Sequence, residues 1–325
     1  MKKRILSGMR PTGKLHLGNY VGALENWVKL QGQFENFHLV ADWHLLTTNL
    51  DTSKIEADTI DMVIDWLCAG IDPEESPIFI QSKIKEHAEL FLLFSMLVSV
   101  PRLERNPTVK EQAKDLGLET NMAYGHLGYP VLQAADIMIY KAHLVPVGED
   151  QLPHIELTRE IARRFNNTYG DVFVVPSGRV TEFSRLPGLD GRKMSKSLGN
   201  TILLSDSPEE IQQKVRRAIT DPQKIRKGDP GRPEVCNVFT YHRKFNPAEI
   251  PEIERDCKSG VLGCVACKNN LSEKLAIYLA PIREKRAYYE QNLDEVMAII
   301  DRGNAVAQKV ARETMHEVYK AMKLG

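Results

Sequence analysis

The sequence lacks a surplus of charge of either sign. Lys and Arg number 43 and Asp and Glu number 43, so a polyanionic partner must be held by a local basic patch. Long hydrophobic runs are also missing. The longest, Leu90 to Val100, is interrupted by Ser95 and Ser99; it is too short to span a bilayer and suits a core or subunit-interface helix. The basic start Met1-Lys2-Lys3-Arg4 reaches Gly8 and Pro11 before a signal-like apolar core forms, which predicts a cytoplasmic protein with no membrane segment. Cysteine is scarce but uneven. Cys68 stands alone, whereas Cys236, Cys257, Cys264 and Cys267 crowd together. Without an export signal, such a cluster points to a metal site rather than a disulfide framework.

What is present is ordinary globular composition, 42% hydrophobic and 26% charged over 325 residues, which excludes a disordered chain and fits about two domains. Over the first 200 residues, short apolar runs alternate with amphipathic ones. Strands are expected at Arg4–Met9, Phe37–Asp42, Pro77–Gln81 and His143–Gly148, separated by segments long enough for crossover helices. That rhythm predicts an α/β fold with a mostly parallel sheet. One crossover helix is expected from Ser53 to Ala69, stopped by Gly70. From about Ser205 helical patterns dominate. The last, Asn304 to Lys323, puts Val306, Val310, Thr314 and Val318 on one stripe. The expected division is an α/β catalytic part over 1–205 and a helical part over 206–325.

Two phosphate-binding readings compete after the first strand. Gly8 to Leu15 has P-loop spacing, but Leu15 offers no hydroxyl for Mg²⁺ and Pro11 removes a backbone donor. The second reading centres on His16-Leu17-Gly18-Asn19. A strand ends, a Pro/Gly-rich loop follows, and a helix starts near Gly18, so phosphate could sit at free helix N–H groups with His16 donating to it. Gly18 would let a base approach the backbone. Far downstream, Lys193-Met194-Ser195-Lys196-Ser197 lies in a stretch bounded by Gly188, Gly191 and Gly199. Lys193 and Lys196 in a mobile loop could close over a polyphosphate and neutralise a leaving pyrophosphate. The alternative is a solvated basic loop.

The pair of elements resembles the two signatures of class I aminoacyl-tRNA synthetases. Gly148-Glu149-Asp150-Gln151 and the segment Tyr129 to Ile137 narrow the resemblance to the tryptophanyl-tRNA synthetases, over nearly the whole chain. Two positions depart from the common pattern. Arg10 stands where many of these enzymes have Gln, and Asn19 where the class-wide signature ends in His. The resemblance implies a Rossmann-like catalytic domain, a smaller helical domain that binds the tRNA anticodon, and a homodimer. It implies activation of L-tryptophan by ATP with Mg²⁺, then transfer to tRNA(Trp). Lys193, Lys196 and His16 would act on phosphate; Arg10, Thr12, Gly18, Asn19, Gly148, Asp150 and Ser195 would complete the ATP site. A tyrosyl-tRNA synthetase and a non-catalytic RNA-binding relative are the competing readings.

A helix beginning near Pro130 places Tyr129, Gln133, Asp136 and Tyr140 along one face. An unpaired carboxylate there would be costly, so Asp136 needs a donor; from spacing alone a neighbouring helix supplies it. The resemblance instead makes Asp136 the acceptor of the indole N–H, with Tyr129 and Gln151 at the α-amino end. Gln133 shares that site, and His44, Leu6, Val145 and Val147 would line the ring pocket. An apolar slot with one buried acceptor rejects phenylalanine, which leaves the acceptor unpaired.

The spacing Cys236-x20-Cys257-x6-Cys264-x2-Cys267 supplies four thiols, suited to structural zinc or a [4Fe–4S] cluster. A subset of tryptophanyl-tRNA synthetases has a similar pattern, which implies [4Fe–4S] first and zinc second. Between Lys214 and Arg232 lie Arg216, Arg217, Lys224, Arg226 and Lys227, with only Asp221 and Asp229 opposing. That run reads as a tRNA-backbone contact or as a solvated helix face.

Overall fold

A computed structural model describes residues 2–118, 120–180, 186–226 and 228–324. The chain forms two compact units. One comprises Met1–Gly13, Asn26–Glu182 and Asn292–Gly325; the other comprises Lys14–Glu25 and Phe183–Gln291.

The first unit is built on five parallel strands, β1 (Arg4–Met9), β2 (Glu35–Val40), β3 (Ile78–Ile80), β4 (Leu144–Val147) and β5 (Ser177–Val180), in the order β3-β2-β1-β4-β5. The sequence of crossovers reverses between β1 and β4. In open parallel sheets such a switch point leaves a crevice outside the strands' carboxyl ends, where ligands bind. On one face Leu6, Phe37 and Leu39 pack with Val131, Ala134, Ala135 and Met138 of the helix Tyr124–Ile139 and with Leu90 and Phe94 of the helix Glu86–Ser95. The helix Ile55–Ala69 ends at Gly70, whose φ of 110° makes it the left-handed cap.

Three expectations need correction. β5 was not foreseen: its Ser-Gly-Arg-Val sequence is mostly exposed and carries no apolar run. The helix bearing Asp136 begins at Tyr124, with Pro130 inside it. The break at 205–206 also differs from the observed division. The helix Leu293–Met322 belongs to the first unit, and Lys14–Glu25 together with the stretch preceding 205 belongs to the second.

The reason for that last difference lies at the sheet edge. Gly303, Ala307 and Ala311 are buried, whereas Val306 is half exposed. These small residues let the helix approach β3 closely: a Cβ at Gly303 would overlap the Ile78 carbonyl oxygen and come within 2.7 Å of its carbon. The Asn304 Oδ1 accepts the Ile80 N–H at 2.9 Å, which covers a donor on an otherwise open strand edge.

The second unit is helical. The helix Pro208–Arg216 starts with a capping box in which the Ser207 hydroxyl accepts from Glu210 N and the Glu210 carboxylate from Ser207 N. It packs against the helix Cys264–Gln291, which also carries the helix Asn237–Phe245.

Candidate active site

In the first unit a cavity of about 240 Å³ opens at the switch point. Leu6, Leu39, Ile137 and Val145 form apolar walls, and Arg10, His44, Tyr129, Gln133, Asp136 and Gln151 are its polar lining. Of the expected ring-pocket residues, Val147 alone is absent from this lining; it is buried towards Gly178. Thr47, just after the helix Asp42–Leu46, and Gln112, on the helix Pro107–Asp115, also line the cavity; such isolated polar residues carried no sequence signal.

Asp136 is the centre of the site. Its Oδ1 accepts from His87 Nδ1 at 2.6 Å and its Oδ2 from His44 Nε2 at 2.7 Å, while Gln81 Nε2 donates to both oxygens at 2.8 and 2.9 Å. Burial pushes this carboxyl's pKa up, but the hydrogen bonds from His44 and His87 outweigh it and hold the value at about 2. It remains a carboxylate, able only to accept.

Tyr129 is oriented by a second chain of hydrogen bonds. Burial depresses the His154 pKa to about 4, so the ring is neutral. The Asn106 amide donates to His154 Nδ1 at 3.2 Å, which puts the proton on Nε2, facing the Tyr129 hydroxyl oxygen at 2.9 Å. The tyrosine oxygen keeps a second lone pair. Arg10 is exposed and donates to Thr48 Oγ1 at 3.3 Å. Asp150 is exposed too; its Oδ2 accepts from Gln151 Nε2, and its Oδ1 folds so near Gly148 that a Cβ there would stand 2.6 Å away. Thr12 is exposed on the loop after β1.

The second unit brings the two phosphate elements together. His16 caps a helix: its Nδ1 accepts from Asn19 N at 3.2 Å, and Asn19 Oδ1 accepts from His16 N at 3.1 Å. With Nδ1 accepting, the neutral ring carries its proton on Nε2. Burial first, and the Lys196 charge second, depress the His16 pKa to about 4. Gly18 N lies 3.2 Å from Met194 Sδ, and a Cβ at Gly18 would meet the His16 ring at 3.0 Å. Lys196 Nζ donates to Lys14 O at 2.7 Å, while Lys193 is exposed. The loop is braced by Asn200, which went unread in the sequence. Its Oδ1 accepts from Ser195 N at 2.8 Å, and its Nδ2 donates to Lys193 O and Asp190 Oδ1.

Comparison with known proteins gives the family of the whole chain. The family of class I tRNA synthetases for tryptophan and tyrosine matches residues 1–280. The tryptophan–tRNA ligase of Thermotoga maritima is 53% identical, with 99% of both chains aligned. That of Aquifex aeolicus is 44% identical over 99% of this chain and all of its own. The chain belongs to the tryptophan–tRNA ligases. The tryptophanyl-tRNA synthetase of Campylobacter jejuni, solved with ADP and tryptophan, superposes with a TM-score of 0.89 at 33% identity, covering 99% of this chain and 100% of that one.

As a tryptophan–tRNA ligase, the chain has two further features to place. Cys236, Cys257, Cys264 and Cys267 line one cavity of about 20 Å³ with Asp221 and Lys224. Cys264 and Cys267 begin the long helix one turn apart, and Cys236 caps another helix. Burial, then the neighbouring thiols, push the Cys267 pKa up to about 12. Among the described residues, no three His, Cys, Asp or Glu side chains stand in metal-holding geometry. The four cysteines nevertheless line one void, and thiolate sulfur is the donor type that zinc and iron–sulfur clusters take; a Cβ at Gly231 would stand 2.6 Å from Cys257 Sγ. The basic run is thinned by pairing. Lys214 binds Asp206, Arg232 binds Asp221, and Lys224 is buried, donating to Cys257 O. Arg216, Arg217 and Arg226 are exposed, and Lys227 lies outside the described residues. No helix among the described residues is long and apolar enough to cross a membrane.

Proposed function

We propose that tryptophan occupies the cavity around Asp136 and is activated there by ATP with Mg²⁺. Its carboxylate oxygen bonds to the α-phosphorus as the bond to pyrophosphate breaks; the ribose hydroxyl of tRNA(Trp) then takes the tryptophanyl group and AMP leaves. No side chain needs to bond to the substrate, because positioning and charge stabilisation suffice. The observation that carries this reading is the buried, ionised Asp136 in an apolar-walled cavity. Asp136 accepts the indole N–H, Leu6 and Val145 flank the ring, and Tyr129, Gln133 and Gln151 hold the α-amino end. His16 Nε2, Asn19, Lys193, Ser195 and Lys196 bind phosphate oxygens. Arg10, Thr12, Gly18, Gly148 and Asp150 complete the ATP site.

The four cysteines hold a [4Fe–4S] cluster in this proposal, with zinc as the second choice. Either group cross-links the helices of the second unit when bound and takes no part in activation. Arg216, Arg217 and Arg226 are offered to tRNA phosphates. The protein works as a cytoplasmic homodimer, a reading supported by Leu92, Met96 and Val100, which stand exposed along one apolar stretch.

ATP–pyrophosphate exchange with tryptophan, tyrosine, phenylalanine and no amino acid tests the function. Exchange with tryptophan alone is expected. Exchange with tyrosine would reassign Asp136 to a phenol, and none at all would leave a binding-only relative.

A further inference from the structure

The donors on Asp136 are not equivalent. His44 lines the cavity, with its side chain 11% exposed. His87 lies behind the carboxylate, fully buried, and does not reach the cavity lining. Its Nδ1 is 2.6 Å from Asp136 Oδ1 and its Nε2 is 2.7 Å from the Tyr140 hydroxyl. Tyr140 is in turn fixed between two rings, stacked on Phe37 at 4.9 Å and edge-on to Phe79 at 5.0 Å. The Asp136 carboxylate can only accept, so His87 carries a proton on Nδ1, and its Nε2 faces the Tyr140 hydroxyl, whose proton burial holds in place. The chain from Tyr140 through His87 ends on the Asp136 carboxylate, which can only accept.

We propose that His87, itself held by Tyr140, is a positioning residue that anchors Asp136 through Oδ1 and leaves Oδ2 to exchange between His44 and the tryptophan indole N–H. This rests on the reading of Asp136 as the indole acceptor. A carboxylate offers about four acceptor positions, and Asp136 already takes four hydrogen bonds from three side chains, two of them from Gln81, so an arriving donor must displace one. Gln81 and His87 are buried, whereas His44 stands at the cavity wall. His44 therefore yields, and the anchored half keeps the oxygen aimed at the ring. His87 touches no substrate; it acts through Asp136 alone.

The experiment compares kcat/KM in pyrophosphate exchange for tryptophan with that for its analogue bearing sulfur in place of the indole nitrogen. The wild-type ratio is expected to be about 100, since an unmatched buried acceptor penalises the analogue. Asp136→Asn collapses the ratio. His87→Leu and Tyr140→Phe should lower it about tenfold and severalfold, mainly through the KM for tryptophan. His87→Asn, which keeps a donor near the Nδ1 position, restores it to within threefold. Tyr140→Phe preserves the buried ring and decides the matter if His87→Leu does not fold. Equal losses for both substrates, with the ratio unchanged, would reduce His87 to packing and overturn the proposal while leaving Asp136 as acceptor. A wild-type ratio near one would instead remove Asp136 from indole recognition, and the anchor with it.

Discussion

Gly303→Ala probes how the terminal helix supports the site. A methyl at this position would overlap the Ile78 carbonyl oxygen and stand 2.7 Å from its carbon, so helix and strand must part by ~1 Å to regain normal carbon contacts. Overpacking of this kind costs about 1–3 kcal/mol. The Asn304 bond to Ile80 N would stretch as well, at about 1 kcal/mol. Alanine returns about 0.5–1 kcal/mol of helix propensity. The expected net loss is about 1–3.5 kcal/mol, read as a lower urea midpoint. Gln81 follows β3 directly and donates to both oxygens of Asp136, so the KM for tryptophan should rise ~10-fold, equivalent to about 1.4 kcal/mol. Gly125→Ala is the control. Nothing lies within 4 Å of a Cβ there, and stability should hold or rise slightly. A Gly303→Ala protein within 0.5 kcal/mol of wild type would refute the close approach; lost stability at unchanged KM would refute its link to Asp136.

Three other outcomes follow from the same structure. Lys196→Ala should lower tryptophanyl-adenylate formation at least 100-fold in single-turnover assays while tryptophan binding stays intact, and normal activation would take the loop out of the chemistry. His38 is fully buried between Trp27 and Trp66, and burial depresses its pKa to about 3. The unfolded chain binds this proton below pH 6.5 and the folded one does not, so stability falls as pH falls from about 6.5 towards 3. Between pH 7.5 and 5 the loss is about 2 kcal/mol, and His38→Phe should remove it; the same acid slope in that variant would contradict the assignment. Anaerobically purified protein should contain iron, sulfide and absorbance near 400 nm, whereas zinc alone would select the second choice and neither metal would leave four free thiols.

The parts of this fold that were legible were those whose signal is local. β1 spans Arg4–Met9 as its sequence predicts, and Gly70 stops its helix through its own backbone. β5 was invisible because neighbouring strand and helix, rather than its side chains, make it a strand. The terminal helix shows how a correct pattern can still mislead. The expected stripe holds at Thr314 and Val318, which are buried, and at Val310, which packs against the core. Val306, however, is half exposed, and the buried face there runs through Gly303, Ala307 and Ala311, because close approach to β3 at Gly303 rewards an absent side chain over a large one. Periodicity reports that a face exists and is silent about what covers it.

The site divides in the same way. His16 and Asn19 could be read as a pair because the cap they form closes within three residues. Asp136 could be singled out as a buried carboxylate in need of a donor, yet its donors stand 49, 55 and 92 residues away along the chain, on three other elements. A histidine on an amphipathic helix and a glutamine after a strand are ordinary residues until the sheet order brings them to one carboxylate. Recognition by this cavity depends on that distant support, since a lone Asp136 among apolar walls would be driven towards its neutral form by burial. The ionised acceptor is thus a property of four side chains, and the helix that carries Asp136 supplies only one of them.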